Sequence, residues 1–171
     1  MERQDIDSEL SMAGARELLE TTTVAHLAYV GNDGAPRVVP VGYFWTGDVF
    51  VISTADTAPK VAALSARPEV ALAIDADDTP SGARSLSVRG SAAVEIFQGV
   101  VPEYLAAARK SMDGDAAAKF EYNVRRMYDR MARIAITPTW VRFYDFGTGR
   151  MPRFLQELAA QNQMTAADWA E

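Results

Sequence analysis

Arg37 stands in the strand-like stretch Pro36-Arg37-Val38-Val39-Pro40-Val41, and Ser53-Thr54-Ala55-Asp56-Thr57-Ala58-Pro59-Lys60 follows it. Together they set two cations and the hydroxyls of Ser53, Thr54 and Thr57 on or just after extended segments. Pro59 suits the first turn of a helix, whose free N–H groups would join Lys60 in facing an anion. That is chemistry for a phosphorylated ligand. The same residues also allow a plainer use: Asp56 or Thr57 as an ordinary helix cap, Lys60 and Arg37 as solvated charges.

The elements that must position these groups follow from local pattern. Ser11 is expected to cap a short helix through Glu20, and the Thr21-Thr22-Thr23 run favours extended backbone after it. Val24 to Val30 reads as the first strand. Gly31-Asn32-Asp33-Gly34 tolerates the positive dihedrals of a tight turn, and Pro36 to Trp45 is the return strand. Thr46-Gly47-Asp48 turns into Val49 to Thr54, so two successive hairpins predict an antiparallel meander rather than a parallel dinucleotide-binding sheet. Residues 58 to 67 read as a short helix closed by Pro68, and Val70 to Ile74 as the next strand. A polar loop from Asp75 to Gly82 leads to a strand from Ser85 to Ile96, with Gly90 at a bulge or a close-contact position.

Two helices are expected next. One begins at Pro102 and carries Tyr104, Leu105, Ala108 and Met112; the other, beyond Gly114, carries a packing stripe of Phe120, Val124, Met127 and Met131. Ile134 to Asp145 is the last strand, with Trp140, Arg142 and Tyr144 on one face and Val141 and Phe143 on the other. Phe154, Leu155 and Leu158 mark a final short helix. The fold class is mainly β with helices: six antiparallel strands in a single domain over residues 1–171, flanked by short N- and C-terminal helical extensions. Six strands in so short a chain close most readily as a small barrel, because closure removes exposed edges.

Composition narrows the chemistry. The 171 residues carry a formal charge of -6, which opposes nucleic-acid or anionic-membrane partners, and Arg125, Arg126, Arg130 and Arg133 are interrupted by Glu121 and Asp129 as on a salt-bridged face. There is no cysteine, so disulfides, thiolate nucleophiles and cysteine-built metal centres are excluded. No metal site is expected. His26 is the one histidine and sits in an apolar strand, where a packed imidazole is the expectation. Asp75, Asp77 and Asp78 lack the spacing of a calcium loop. No apolar run approaches the roughly 20 residues needed to span a bilayer, and the acidic opening lacks an export leader. The expectation is a soluble, cytoplasmic protein.

Beyond these local readings, several short patterns occur in order: Gly34-x-Pro36-Arg37-x-x-Pro40, Gly47-Asp48-x-Phe50-x-Ile52-Ser53-Thr54, Lys60-x-x-x-Leu64-x-x-x-Pro68-x-Val70, Ser87-Val88-x-Gly90-x-Ala92 and Ile136-x-Pro138-x-x-Val141. Through them the chain resembles the pyridoxamine 5'-phosphate oxidase-like superfamily of FMN-binding split barrels, flavin and deazaflavin oxidoreductases alike. The resemblance covers roughly residues 12 to 145. It implies a six-stranded antiparallel split β-barrel and a homodimer with two sites at the subunit interface. It also implies that Arg37 is the family's cofactor-binding arginine on the second strand, that Lys60 holds a cofactor phosphate, that Val39, Pro40 and Val41 flank the ring, and that Ser53 and Thr54 lie near ring and ribityl chain. Ser87 and Arg89 would add cofactor contacts, while Trp140 and Arg142 would approach the ring or substrate.

The pattern departs from the oxidases proper in one respect. They carry an Arg-x-His arrangement near the C-terminus, where this chain has Arg142-Phe143-Tyr144 and no histidine beyond His26. Vitamin B6 oxidation is therefore not the expectation. FMN is the expected cofactor, with the deazaflavin coenzyme F-420 as the alternative, since both present a phosphate and a tricyclic ring. The expected activity is hydride transfer to or from a small-molecule substrate, with Trp140 and Arg142 as the catalytic pair. The competing class is a non-enzymatic flavin or haem binding, storage or sensing protein.

Overall fold

A computed structural model describes residues 1–76 and 82–164. Asp77 and Asp78 of the acidic loop lie outside the described residues. Two helices open the chain, α1 (Arg3–Leu10) and α2 (Ala13–Thr21). The strands β1 (Val24–Val30), β2 (Pro36–Gly42), β3 (Phe44–Trp45) and β4 (Phe50–Ala55) follow, then α3 (Pro59–Ala66), β5 (Glu69–Ala76) and β6 (Arg84–Gln98). The chain continues through α4 (Pro102–Ala108), α5 (Gly114–Met127) and β7 (Arg130–Asp145), and reaches α6 (Arg153–Gln161) after a single 3-10 turn at Phe146–Thr148.

Seven strands form one antiparallel sheet in the order β2-β1-β5-β6-β7-β4-β3. The anticipated return strand Pro36 to Trp45 is split: Tyr43 separates β2 from β3, and these are the two edges of the sheet. A one-residue link between opposite edges obliges the sheet to roll up, which gives the split barrel its closure. The two hairpins therefore sit at opposite ends of the strand order rather than in a meander. Gly34 (φ 80°) and Gly47 (φ 96°) adopt the left-handed backbone their turns require.

The barrel interior takes the inward residues of every long strand. Leu27, Phe50, Ile52, Leu72, Ile74, Leu86, Ile134, Ile136 and Val141 are all buried, and Leu18, Leu19, Ile6 and Leu64 of α1–α3 cap them. Gly90 marks the irregularity foreseen in β6: the register with β7 shifts there, and a Cβ on it would meet the Thr137 carbonyl at 2.6 Å. A second, smaller core gathers Val100, Val101, Leu105, Val124 and Met131 beneath α4 and α5.

Three local expectations are corrected. Ser11 does not cap α2; it follows α1 and donates to the Ser8 carbonyl, and α2 begins without a side-chain cap. The helical stripe ends at Val124, because Met127 is 73% exposed and Met131 already belongs to β7. Neither Asp56 nor Thr57 caps α3: Ala58 holds the cap position without a side-chain bond, and Asp56 pairs with Arg130. The arginine group is salt-bridged as expected, Arg125 to Glu121 and Arg133 to Glu103. No helix among the described residues is long and apolar enough to cross a membrane.

Candidate functional site

Alternation along β2 divides the anticipated site residues between two surfaces. Arg37, Val39 and Val41 pair with Tyr29, Leu27 and Ala25, all buried, and so point to the inner side. Val39 and Val41 are packed against the chain's own core and need no partner to cover them; the exposed apolar residue of the strand is Val38, at 67%.

On the inner side Arg37 and Val39 meet Lys60 across a cleft of about 500 Å³, floored by Tyr29 and rimmed by Asn32, Asp33 and Pro59. Local sequence builds it. The turn after β1 swings Asp33 over to Arg37, whose Nη2 donates to Asp33 Oδ2 at 2.7 Å. Gly31 makes the room, because a Cβ there would collide with the Arg37 guanidinium. Pro59 starts α3 with no side-chain cap; it has no N–H of its own and the Val61 N–H donates to the Ala58 carbonyl at 2.9 Å, so the first turn adds the backbone N–H of Lys60. Lys60 has no ion pair or hydrogen bond to another described residue. An unpartnered ammonium, a guanidinium with several N–H groups left over and the Lys60 backbone N–H form a donor set that fits a phosphate.

The second surface is the outer face of the sheet. Strand register aligns Pro40, His26, Ala73, Ser87 and Arg142 in one row across five strands, and Val38, Ala28, Ala71, Arg89 and Trp140 in the next. At the ordinary spacing of strands such a row spans about 19 Å. The Arg89 guanidinium lies 4.7 Å from the centre of the Trp140 ring. His26 is exposed rather than packed, with Nδ1 3.5 Å from Asp75 Oδ1. Arg142 is held: its Nη1 donates at 2.7 Å to Glu9, a carboxylate only 4% exposed. A groove of about 540 Å³ runs along this face past Val38, Ala71 and Arg89, and Arg37 borders it as well as the cleft.

The remaining hydroxyls do not join either group. Thr54 and Ser53 alternate on β4, so Thr54 shares the face of Phe50 and Ile52, while Ser53 faces the other way with a buried Oγ that has no hydrogen-bond partner. Thr57 is exposed and outside the cleft. Three polar groups were not anticipated. Glu9 and Arg150 meet Arg142, and Lys110 reaches the C-terminal end of α2 to donate to the carbonyls of Leu19 (2.7 Å) and Thr22 (3.0 Å). Burial pushes the Lys110 ammonium down to about 8. Burial also works against the charge on Glu9, but the Phe143 N–H and the guanidinium groups of Arg150 and Arg142 hold it below its ordinary value. The acidic composition of α1 is the one sequence signal that pointed near Glu9.

Residues 12–145 match the pyridoxamine 5'-phosphate oxidase family. Among solved structures, an F420 reductase is 27% identical, with a TM-score of 0.52 over 74% of this chain and 94% of that one. A haem-binding protein of Mycobacterium smegmatis is 25% identical, with a TM-score of 0.52 over 80% of this chain and 55% of that one. A conserved protein of Mycobacterium tuberculosis shares the fold at 19% identity, with a TM-score of 0.61 over 90% of both chains. No curated protein matches.

Proposed function

Because the chain belongs to the pyridoxamine 5'-phosphate oxidase family, we propose that the Arg37–Lys60 cleft holds the phosphate of a flavin or deazaflavin cofactor, and that the protein is an oxidoreductase acting on a small organic molecule. The observation that carries this is the convergence of Arg37, from β2, and Lys60, from α3, on one cleft while Lys60 lacks a carboxylate partner among the described residues. When bound, such a cofactor supplies the hydride chemistry. Arg37 and Lys60 anchor it, and the apolar wall of Tyr29 and Val39 excludes water on one side. The backbone of Val39, Pro40 and Val41 is available to lie along the ring.

Of the two cofactor classes we favour the deazaflavin over the FMN anticipated from sequence. FMN ends at its phosphate, whereas the deazaflavin coenzyme continues into an acidic tail. Arg37 borders both the cleft and the groove leading to Arg89, so a basic path continues beyond the phosphate donors. The likeness to an F420 reductase points the same way. We infer a homodimer joined through the outer face, where Val38, Pro40 and the alanines of β5 offer an apolar surface and Trp140 and Arg142 stand available to substrate.

A second reading rests on His26. Asp75 faces its Nδ1, which leaves Nε2 on the exposed face, the arrangement of a haem-ligating histidine with a carboxylate behind it. Separate titrations of the protein with coenzyme F-420, FMN and haem decide the matter. Tight F-420 binding that weakens in Lys60→Ala supports the oxidoreductase. Haem binding lost in His26→Ala, with neither flavin bound, would replace it with the haem carrier.

A further inference from the structure

Arg142 of β7, Arg150 and Arg153 of the first turn of α6 line a cavity of about 280 Å³ together with Tyr144 and Gln156, and no acidic side chain lines it. Glu9 stands behind the cavity with its side chain 5% exposed. Its Oε1 accepts from Arg142 Nη1 and Arg150 Nη2, both at 2.7 Å, and its Oε2 accepts from the Phe143 N–H at 2.9 Å. One carboxylate thus answers two guanidinium groups. Among the described residues Arg153 pairs with Glu157 alone, and its side chain is 91% exposed, where an ion pair screens little charge.

Unspent donors remain. A guanidinium has five N–H groups; Arg142 uses one on Glu9, and Arg150 uses one on Glu9 and one on the Phe143 carbonyl. The shared carboxylate orients both arginines before any ligand arrives, which lowers the ordering cost of binding. In a chain of formal charge -6, this is a local concentration of positive charge. The cavity is smaller than the span usual for drug-sized ligands, roughly 300–1,000 Å³, so it suits a small group rather than a flavin.

We propose that this cavity is a binding site for a small oxyanion, the phosphate or carboxylate of a small molecule, gripped by Arg142 and Arg150 and closed by Arg153. Glu9, Arg150, Arg153 and Gln156 lie outside the matched residues 12–145, so the terminal extensions complete a site that Arg142 and Tyr144 begin on the last strand of the barrel. It shares no lining residue with the cofactor cleft, while Arg142 is common to it and to the proposed substrate face.

Inorganic phosphate and benzoate, titrated separately into the full-length protein by calorimetry, test this and tell the two ligand chemistries apart. Saturable binding of either is expected. It should weaken about tenfold or more, the scale of a lost charge-assisted bond, in Arg153→Ala, whose exposed position leaves the fold intact. Arg150→Lys, which keeps the charge but not the fork, should weaken it as well, and Lys60→Ala, which disables the phosphate donors of the cofactor cleft, should leave a saturable site that still responds to Arg153→Ala. Absence of saturable binding, binding indifferent to Arg153→Ala, or binding abolished by Lys60→Ala would each overturn the site.

Discussion

The ammonium of Lys110 lies 4.0 Å from the centre of the Tyr43 ring, at the point where the two edges of the sheet are joined by a single residue. Tyr43 is fully buried, and the same ammonium donates to the Leu19 and Thr22 carbonyls, so one cation ties the seam of the barrel to the end of α2. Its charge is met by carbonyls and a ring face, with no carboxylate among the described residues.

This contact has a pH signature. Lys110 loses its proton near pH 8 in the folded protein but near its ordinary value of 10.5 when unfolded. Between those values the unfolded chain binds more protons, so stability rises as pH increases through the window and the gain is absent below it. Urea midpoints measured across the range should climb in the wild type relative to Lys110→Met, which has nothing to titrate there. Parallel curves for the two proteins would refute the assignment.

Glu9 behaves in the opposite sense. Its carboxyl is held below the ordinary value of 4.5, so its contribution is present above that pH and is lost as pH falls through the lower, folded value. Removing one partner of a buried ion pair costs about 3–5 kcal/mol, and the half-exposed arginines place Glu9→Ala towards the lower end. The loss should fall first on α1, which Glu9 fastens to β7. Amide exchange should therefore show α1 deprotected in the variant while β6 stays protected.

At the cofactor cleft, Lys60→Ala should weaken binding of coenzyme F-420 by roughly 1–3 kcal/mol, the worth of a charge-assisted bond. Lys119→Ala, on the exposed side of α5, is the control and should bind as the wild type does. Equal affinity in all three proteins would remove Lys60 from the phosphate site.

Val38 tests the proposed homodimer. It is 67% exposed on the outer face, where a carboxylate would be stranded by a second copy but tolerated by a monomer. Light scattering should report a dimer for the wild type and a monomer for Val38→Glu, with the melting temperature of the barrel little changed. A dimer that survives the substitution would place the interface elsewhere.

Much of the barrel could be read from local chemistry. Gly34 and Gly47 announced their turns, Pro59 and Pro68 bracketed α3, and the two-residue period of β7 sorted Val141 and Phe143 from Trp140 and Arg142. These signals are legible because each depends on the residue's own backbone preference or on neighbours a few positions away. The cleft was legible in part. Arg37 and Lys60 do meet, whereas Ser53 is turned away by the alternation of β4 and Thr57 stays on the surface.

Strand order, and everything that hangs on it, was decided by tertiary structure. A period of two says which side of a strand is buried but not which strand lies beside it, so the placing of β2 and β3 at opposite edges had no local sign. Nor did the rows that carry Pro40 to Arg142 and Val38 to Trp140 across five strands. Glu9 reads as one more acidic residue on an exposed helix, and Lys110 as one more cation after a helix. Only the packing of α1 on β7 takes Glu9 out of water, and only that of α2 and Tyr43 around Lys110 half-buries its ammonium, so each charge finds its partners among groups that the chain brings from far away in sequence.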